Sequence, residues 1–177
     1  MSSKNLLYLT KIESEDFIYI YKWFSDKEFL KFYDYMPPVP QNIKQVDKTF
    51  EDYKKNEESI VFAIKLFSEG KIIGIAGFDD IIKENKVATL FIGIGNKNLR
   101  GRGYGGETLN QLLDYGFNKL GFYRIQLNVL EFNVRAITLY EKAGFTKEGT
   151  LREFVLRDGK RYNLHIYGLL KNEWISR

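Results

Sequence analysis

The chain has 177 residues, 44% of them hydrophobic and 16% aromatic, with no cysteine. That is enough for one sizeable core, and it excludes disulfides, thiolate metal sites and a protein thiol as nucleophile, so sulfur chemistry would have to come from a cofactor. The net charge is +4, yet 27 Lys and Arg are dispersed among 23 Asp and Glu, which argues against a nucleic-acid partner.

The first predicted strand is Leu6 to Ile12. Ser14 is placed as the N-cap of a helix over Glu15 to Phe24, where Phe17, Ile20, Tyr21 and Phe24 recur at helical spacing. A helix-loop segment follows, with Phe29 to Tyr35 densely aromatic, and Pro37, Pro38 and Pro40 stop any helix from running through. Gln41 to Asn56 reads as a solvated helix with Ile43, Val46, Phe50 and Tyr53 on one stripe. Ser59–Leu66, Lys71–Phe78 and Lys86–Gly95 are β-rich runs divided by turn residues, an antiparallel meander. A helix from about Gly105 to Leu120, a strand Tyr123–Leu130, a helix Asn133–Lys142 and two closing strands complete the order. The closing strands turn at Arg157-Asp158-Gly159-Lys160, where Asp-Gly suits a two-residue hairpin turn with both φ angles positive.

Between the run Thr89–Gly95 and the helix beginning near Thr108 lies Arg100-Gly101-Arg102-Gly103-Tyr104-Gly105-Gly106-Glu107. A strand that feeds a glycine turn opening a helix aims unpaired N–H groups and the positive end of a helix dipole at one point, an anion cradle. A Walker loop would need Gly-Lys-Ser/Thr where Gly106-Glu107-Thr108 stands. A dinucleotide fingerprint fits Gly101, Gly103 and Gly106, but it belongs near the start of its domain with an acidic residue about 20 positions on, where Gln126 and Asn128 offer amides.

The offset Arg100-x-x-Gly103-x-Gly105 instead resembles the pyrophosphate loop of the GNAT superfamily of acetyl-CoA-dependent N-acetyltransferases. The block Leu127-Asn128-Val129 through Asn133 to Tyr140-Glu141-Lys142-Ala143-Gly144-Phe145 resembles the same superfamily, as a strand end, an Asn opening a helix, and a closing Tyr-Glu-Lys-x-Gly-Phe. The tail, from Glu148-Gly149 to Glu173-Trp174, looks like the ribosomal-protein alanine acetyltransferase branch and is similar to spermidine acetyltransferases. The resemblance is clear from Ile60 to Trp174 and rests on element order alone before that.

The resemblance implies a single α/β (α+β) domain over residues 1–177, with a mixed, mostly antiparallel sheet of about seven strands and about four helices, splayed at the cofactor strands. Residues 1–59 would supply the acceptor side, and 60–174 the sheet and the acetyl-CoA core. It implies that the amides of Arg102, Gly103, Tyr104, Gly105 and Gly106, flanked by Arg100 and Gly101, hold the pyrophosphate. The pantetheine would bond along Ile92, Gly93 and Ile94, with Gly93 and Gly95 fitting a bulged or splayed strand end, and Asn133 and Arg135 would line the other side. A neutral amine would attack the thioester through an oxyanion. Tyr140, in the family's general-acid position, would protonate the departing sulfur.

The general base departs from the pattern, because Thr89 and Asn128 stand where relatives often carry glutamates. Deprotonation is therefore assigned to a water held by Asn128 or Thr89, or to Glu131, Asp79 or Asp80. Tyr33, Asp34 and Tyr35 are the candidate acceptor contacts, offering π faces and a carboxylate to a cation. Asn163 replaces an Asp common in relatives, His165 reads as a strand-face residue, and no metal site is expected. Residues 1–90 hold 13 Lys and 15 acidic residues while residues 91–177 hold 14 basic and 8 acidic ones, a split suited to a cationic acceptor in the first half and a polyphosphate in the second. The expected protein is a cytoplasmic monomer or homodimer without a membrane partner, acetylating a primary amine: a protein N-terminus, a polyamine or an amino sugar. A catalytically weak CoA-binding protein and an NAD-type dinucleotide-binding protein are the alternatives.

Overall fold

A computed structural model describes residues 6–175 as one seven-stranded sheet with helices on both faces. The strands are β1 (Leu7–Thr10), β2 (Ile60–Leu66), β3 (Ile72–Ile82), β4 (Val87–Ile94), β5 (Arg124–Leu130), β6 (Thr146–Arg157) and β7 (Lys160–Leu170), in the spatial order β1-β2-β3-β4-β5-β7-β6. Every neighbouring pair is antiparallel except β4–β5. The helices are α1 (Phe17–Phe24), α2 (Lys27–Tyr33), α3 (Ile43–Lys55), α4 (Tyr104–Asp114), α5 (Val134–Ala143) and α6 (Lys171–Ile175).

Six helices stand where about four were expected, and local chemistry explains the difference. At Ser25 the first helix ends, and Asp26 caps a new one by accepting the Glu28 N–H at 2.9 Å, so the aromatic run is helical as far as Tyr33. At the C-terminus Glu173 turns back to the Leu170 N–H at 2.8 Å and nucleates α6. Ser14 is not a helix cap. Instead a 3-10 turn over Ser14–Asp16 precedes α1, with buried Asp16 accepting the Glu13 N–H at 2.9 Å and pairing with buried Lys65 at 3.1 Å.

Two cores flank the sheet. Phe78, Leu109, Leu112, Leu113, Phe117 and Ile125 fill one side under α4, and Ile20, Phe24, Phe29, Phe50 and Ile75 fill the other under α1–α3. Each such side chain contributes about 1.5–3 kcal/mol by leaving water. The expected helix to Leu120 changes pitch into a π turn at Tyr115–Lys119, within which Gly116 sits so close to the sheet that a Cβ would lie 2.8 Å from Ile125 and 3.0 Å from Phe78. The closing hairpin turns as predicted, with Asp158 at φ 49° and Gly159 at φ 78°.

Candidate active site

The one parallel pair makes the site. β4 and β5 are joined only from Val87–Thr89 to Arg124–Gln126. Beyond Thr89 and Gln126 each strand continues on its other partner, β4 with β3 as far as Ile94 and β5 with β7 as far as Leu130, and the sheet splits between them. The Gly95 N–H bonds the Ile73 carbonyl on the β3 side at 2.9 Å. Alternation along the strand therefore turns the N–H and C=O groups of Ile94 and Ile92 towards the split.

A cleft of about 650 Å³ occupies one side of this split. Ile92, Gly93 and Ile94 form one wall; Asn133, Arg135, Leu139 and Tyr140 form the other; Arg100, Gly101, Gly103, Gly105 and Gly106 close the end. Gly101 and Gly103 adopt φ 79° and 88°, the left-handed region that lets the chain turn into α4. The N–H groups of Arg102, Gly103, Tyr104 and Gly105 have no acceptor among the described residues, whereas those of Gly106 and Glu107 already bond the Gly103 carbonyl at 3.0 and 3.1 Å. The expected cradle is thus shortened by one amide. Arg102 and Tyr104 do not line the cleft; the Arg102 side chain is exposed and the Tyr104 ring packs on the core. The Arg100 Nε holds the Ile94 carbonyl at 3.1 Å and fixes the strand end to the turn.

Gly93 and Gly95 lie at the splayed end of β4, beyond its last pairing with β5, and the N–H groups of Gly95 and Asn96 both bond the Ile73 carbonyl, at 2.9 and 3.4 Å, as at a bulge. They serve packing as well: a Cβ on Gly93 would lie 2.7 Å from the Tyr33 ring, and one on Gly95 would overlap Trp23. These glycines let α1 and α2 lie on the strand beside the cleft.

Asn133 caps α5, accepting the Ala136 N–H at 3.3 Å, and its amide nitrogen donates to the Phe32 carbonyl at 3.4 Å. Together with the edge contact of Phe32 on Phe132, centroids 5.5 Å apart, this bridges the split from above. Tyr140 is buried against Phe145, and its hydroxyl has no hydrogen-bond partner among the described residues. Burial pushes its phenol up to about 12.

A second cleft, about 320 Å³, opens on the α1–α3 side and shares Phe32, Tyr33, Ile92, Asn133, Ala136 and Tyr140 with the first. Tyr33, Asp34 and Tyr35, the candidate acceptor contacts, line it, though the Tyr33 ring stacks on Phe29 at 5.0 Å and Tyr35 leans on Phe154 at 5.8 Å. Asn128 and Thr89 line it too, and Thr89 receives the Gln126 amide at 3.4 Å. Missed in the sequence were Glu58 and Tyr53, while Asp79 and Asp80, read there only as alternative bases, prove to line this cleft. Asp34, Glu58, Asp79 and Asp80 give it four carboxylates, with no Lys, Arg or His among its lining residues. Buried Arg157 lies behind the loop, donating to the Asp34 and Met36 carbonyls at 2.8 Å each.

Glu131 lies outside both clefts. It is bound to the Asn163 N–H and side-chain amide at 2.8 Å each, so Asn163 serves the hairpin. His165 sits on β7 between Thr150 at 3.1 Å and Lys147 at 3.3 Å, a strand-face residue as read from the sequence. Among the described residues no cluster of three or more His, Cys, Asp or Glu could hold a metal, and no helix is long and apolar enough to cross a membrane.

Residues 7–146 match the acetyltransferase (GNAT) domain family. The chain belongs to that family. It is 30% identical over 169 residues to the N-acetyltransferase p20 of Bacillus licheniformis, covering 95% of this chain and 94% of that protein. A spermidine N(1)-acetyltransferase of Vibrio cholerae is 32% identical over 78 residues, 44% of this chain and 45% of its own length. The alanine N-acetyltransferase of ribosomal protein uS5 in Escherichia coli is 27% identical over 124 residues, 70% of this chain and 63% of its own. The crystal structure of the Vibrio cholerae spermidine N-acetyltransferase with CoA and spermine superposes with a TM-score of 0.88 over 96% of this chain and 98% of that one, at 22% identity. This GNAT chain is therefore an acetyl-CoA-dependent acetyltransferase. Its sheet, with one parallel pair among six, is not that of a dinucleotide-binding fold.

Proposed function

We propose that this enzyme acetylates a small amine carrying more than one positive charge, of the polyamine class, by direct transfer in a ternary complex. The observation that carries this reading is the second cleft. Four carboxylates with no cation among its lining residues repel anions and hold ammonium groups, and Tyr33, Tyr35, Tyr53 and Phe91 add aromatic faces. A peptide N-terminus brings a single charge and an amide backbone to be matched. The likeness to a spermidine acetyltransferase points the same way.

The residues present suit acetyl-CoA, because Gly103 and Gly105, whose amides are unpaired, and the side chains of Lys97, Arg100 and Arg135 line the larger cleft, with the unpaired amides of Arg102 and Tyr104 in the same turn. When bound there, acetyl-CoA supplies an activated acetyl group on a sulfur leaving group. The outward-facing N–H groups of Ile92 and Ile94 would orient the pantetheine arm and a carbonyl oxygen. Asn133 holds the wall that faces them, and Asn128, on the acceptor side, orients the incoming amine or a water beside it. Tyr140, at about 12, keeps its proton throughout the working pH range. Its phenolate is a stronger base than a thiolate of conjugate-acid pKa about 8.5, so Tyr140 passes its proton on only as it receives another from the amine nitrogen. No covalent intermediate on the protein is needed.

The test is an acceptor panel of polyamines, peptides with N-terminal alanine and amino sugars, read as kcat/KM. Polyamines should lead. A peptide or amino sugar in first place would overturn the acceptor class, and no transfer to any amine, with CoA still bound, would make the chain a weak CoA-binding protein.

A further inference from the structure

One carboxylate of the acceptor cleft differs from the rest in its position. Asp79 pairs with Thr89 across β3–β4, and Thr89 is the last β4 residue joined to β5. Asp79 therefore lies one strand, about 4.8 Å, from the point where the split opens. The β3 ladder shifts register between Asp79 and Ile82, with Asp80 at φ 49°, so both acids line the cleft from successive positions of one strand. Asp79 is half-buried and receives the Tyr53 hydroxyl at 3.4 Å, while Asp80 is exposed at the cleft's edge.

We propose that Asp79 is the proton acceptor of the transfer, taking one proton from the ammonium nitrogen of the acceptor before that nitrogen attacks. This rests on the cationic-acceptor reading above. The N–H bond breaks, its electron pair stays on nitrogen, and the carboxylate becomes a neutral acid. The acid returns to the anion by losing the proton to solvent at the open edge beside Asp80.

The surroundings equip Asp79 for this. It titrates at about 6 against 3.8 for an ordinary aspartate, chiefly through burial, then through repulsion by Asp80 and Asp34, with the Tyr53 hydrogen bond opposing. Facing it are Tyr53 from α3, Asp34 from the loop after α2, Glu58 from the turn before β2 and Asp80 from its own strand, and Arg157 binds the Asp34 carbonyl from behind. At neutral pH the group is an anion, and it lies about four units below an alkylammonium near 10.4 instead of more than six. The population of neutral amine it can generate is on the order of 10² higher than for an ordinary carboxylate.

The experiment compares wild type with Asp79→Asn, Asp79→Glu and Asp80→Asn, using spermidine as the probe. Wild-type kcat/KM should fall below pH about 6. Asp79→Asn should lose roughly 10² in kcat and with it the acidic limb, and Asp79→Glu should restore part of both. Asp80→Asn should move the limb to lower pH, because a like charge is gone. Folding is checked without turnover: CoA must still raise the melting temperature of each variant. A raised carboxylate pKa in the folded state is a stability loss present above pH about 6 and absent below about 4, so Asp79→Asn should melt higher than wild type at pH 7.5 and the gap should close towards pH 4. A CoA-responsive Asp79→Asn enzyme with wild-type kcat and an intact acidic limb would overturn the proposal. Wild-type protein that acetylates no cationic amine would instead overturn the acceptor reading.

Discussion

Tyr140 shows how much a single hydroxyl can be asked to do. Its ring is structural, buried in the core that α5 shares with the sheet and edge-on to Phe145 at 5.8 Å. Its hydroxyl bonds no described residue, which fits an atom kept for a ligand. Tyr140→Phe keeps the ring and removes only the oxygen, so thermal stability and the CoA-induced shift should hold while turnover drops by the 10²–10⁴ of a lost general acid. Unchanged turnover would leave Tyr140 a packing residue.

At the scale of elements, the β4–α4 turn carries two glycines that differ in what they tolerate. Gly103 has φ 88° and its Cβ direction is open, so Gly103→Ala strains the backbone by about 1–2 kcal/mol without touching a neighbour. Gly105 is already helical, and a Cβ there would meet only Leu139 at 3.5 Å, an ordinary contact. Gly105→Ala should therefore stabilise the fold by up to about 1 kcal/mol, since glycine is a poor helix residue, while its methyl stands in the lining of the cofactor cleft and weakens CoA binding. Melting temperature up and CoA affinity down is the expected pair; higher affinity would remove Gly105 from the cradle.

This turn was legible in the sequence because its chemistry is local. Glycines at fixed offsets between a strand and a helix leave few backbone paths, and Asn133 and Tyr140 lie seven residues apart on one helix. The acceptor cleft was legible only in part. Asp34, Tyr53, Glu58 and Asp79 come from separate elements and meet through β2–β3–β4 pairing and the seating of α2 and α3 on the sheet. In the chain each is an ordinary surface acid or stripe tyrosine. The extra helices escaped for the opposite reason, since single caps at Asp26 and Glu173 decide them.

For the molecule as a whole, charge is sorted by cleft. The acceptor side takes its four carboxylates from the first half of the chain, and the cofactor side takes Lys97, Arg100 and Arg135 from the second, with Glu28 the lone acid among its lining residues. Such fields act through solvent at the cleft mouths and are screened as ionic strength rises, the Debye length falling from about 30 Å at 0.01 M to about 3 Å at 1 M. The KM of an acceptor should then rise with salt in proportion to its charge, more for spermidine than for a monoamine, while kcat, set where half-buried Asp79 and buried Tyr140 stand back from the cleft mouth, should change little. The same salt series with a neutral aromatic amine serves as the control, and equal slopes for all three acceptors would mean that the carboxylates of the cleft do not recognise charge.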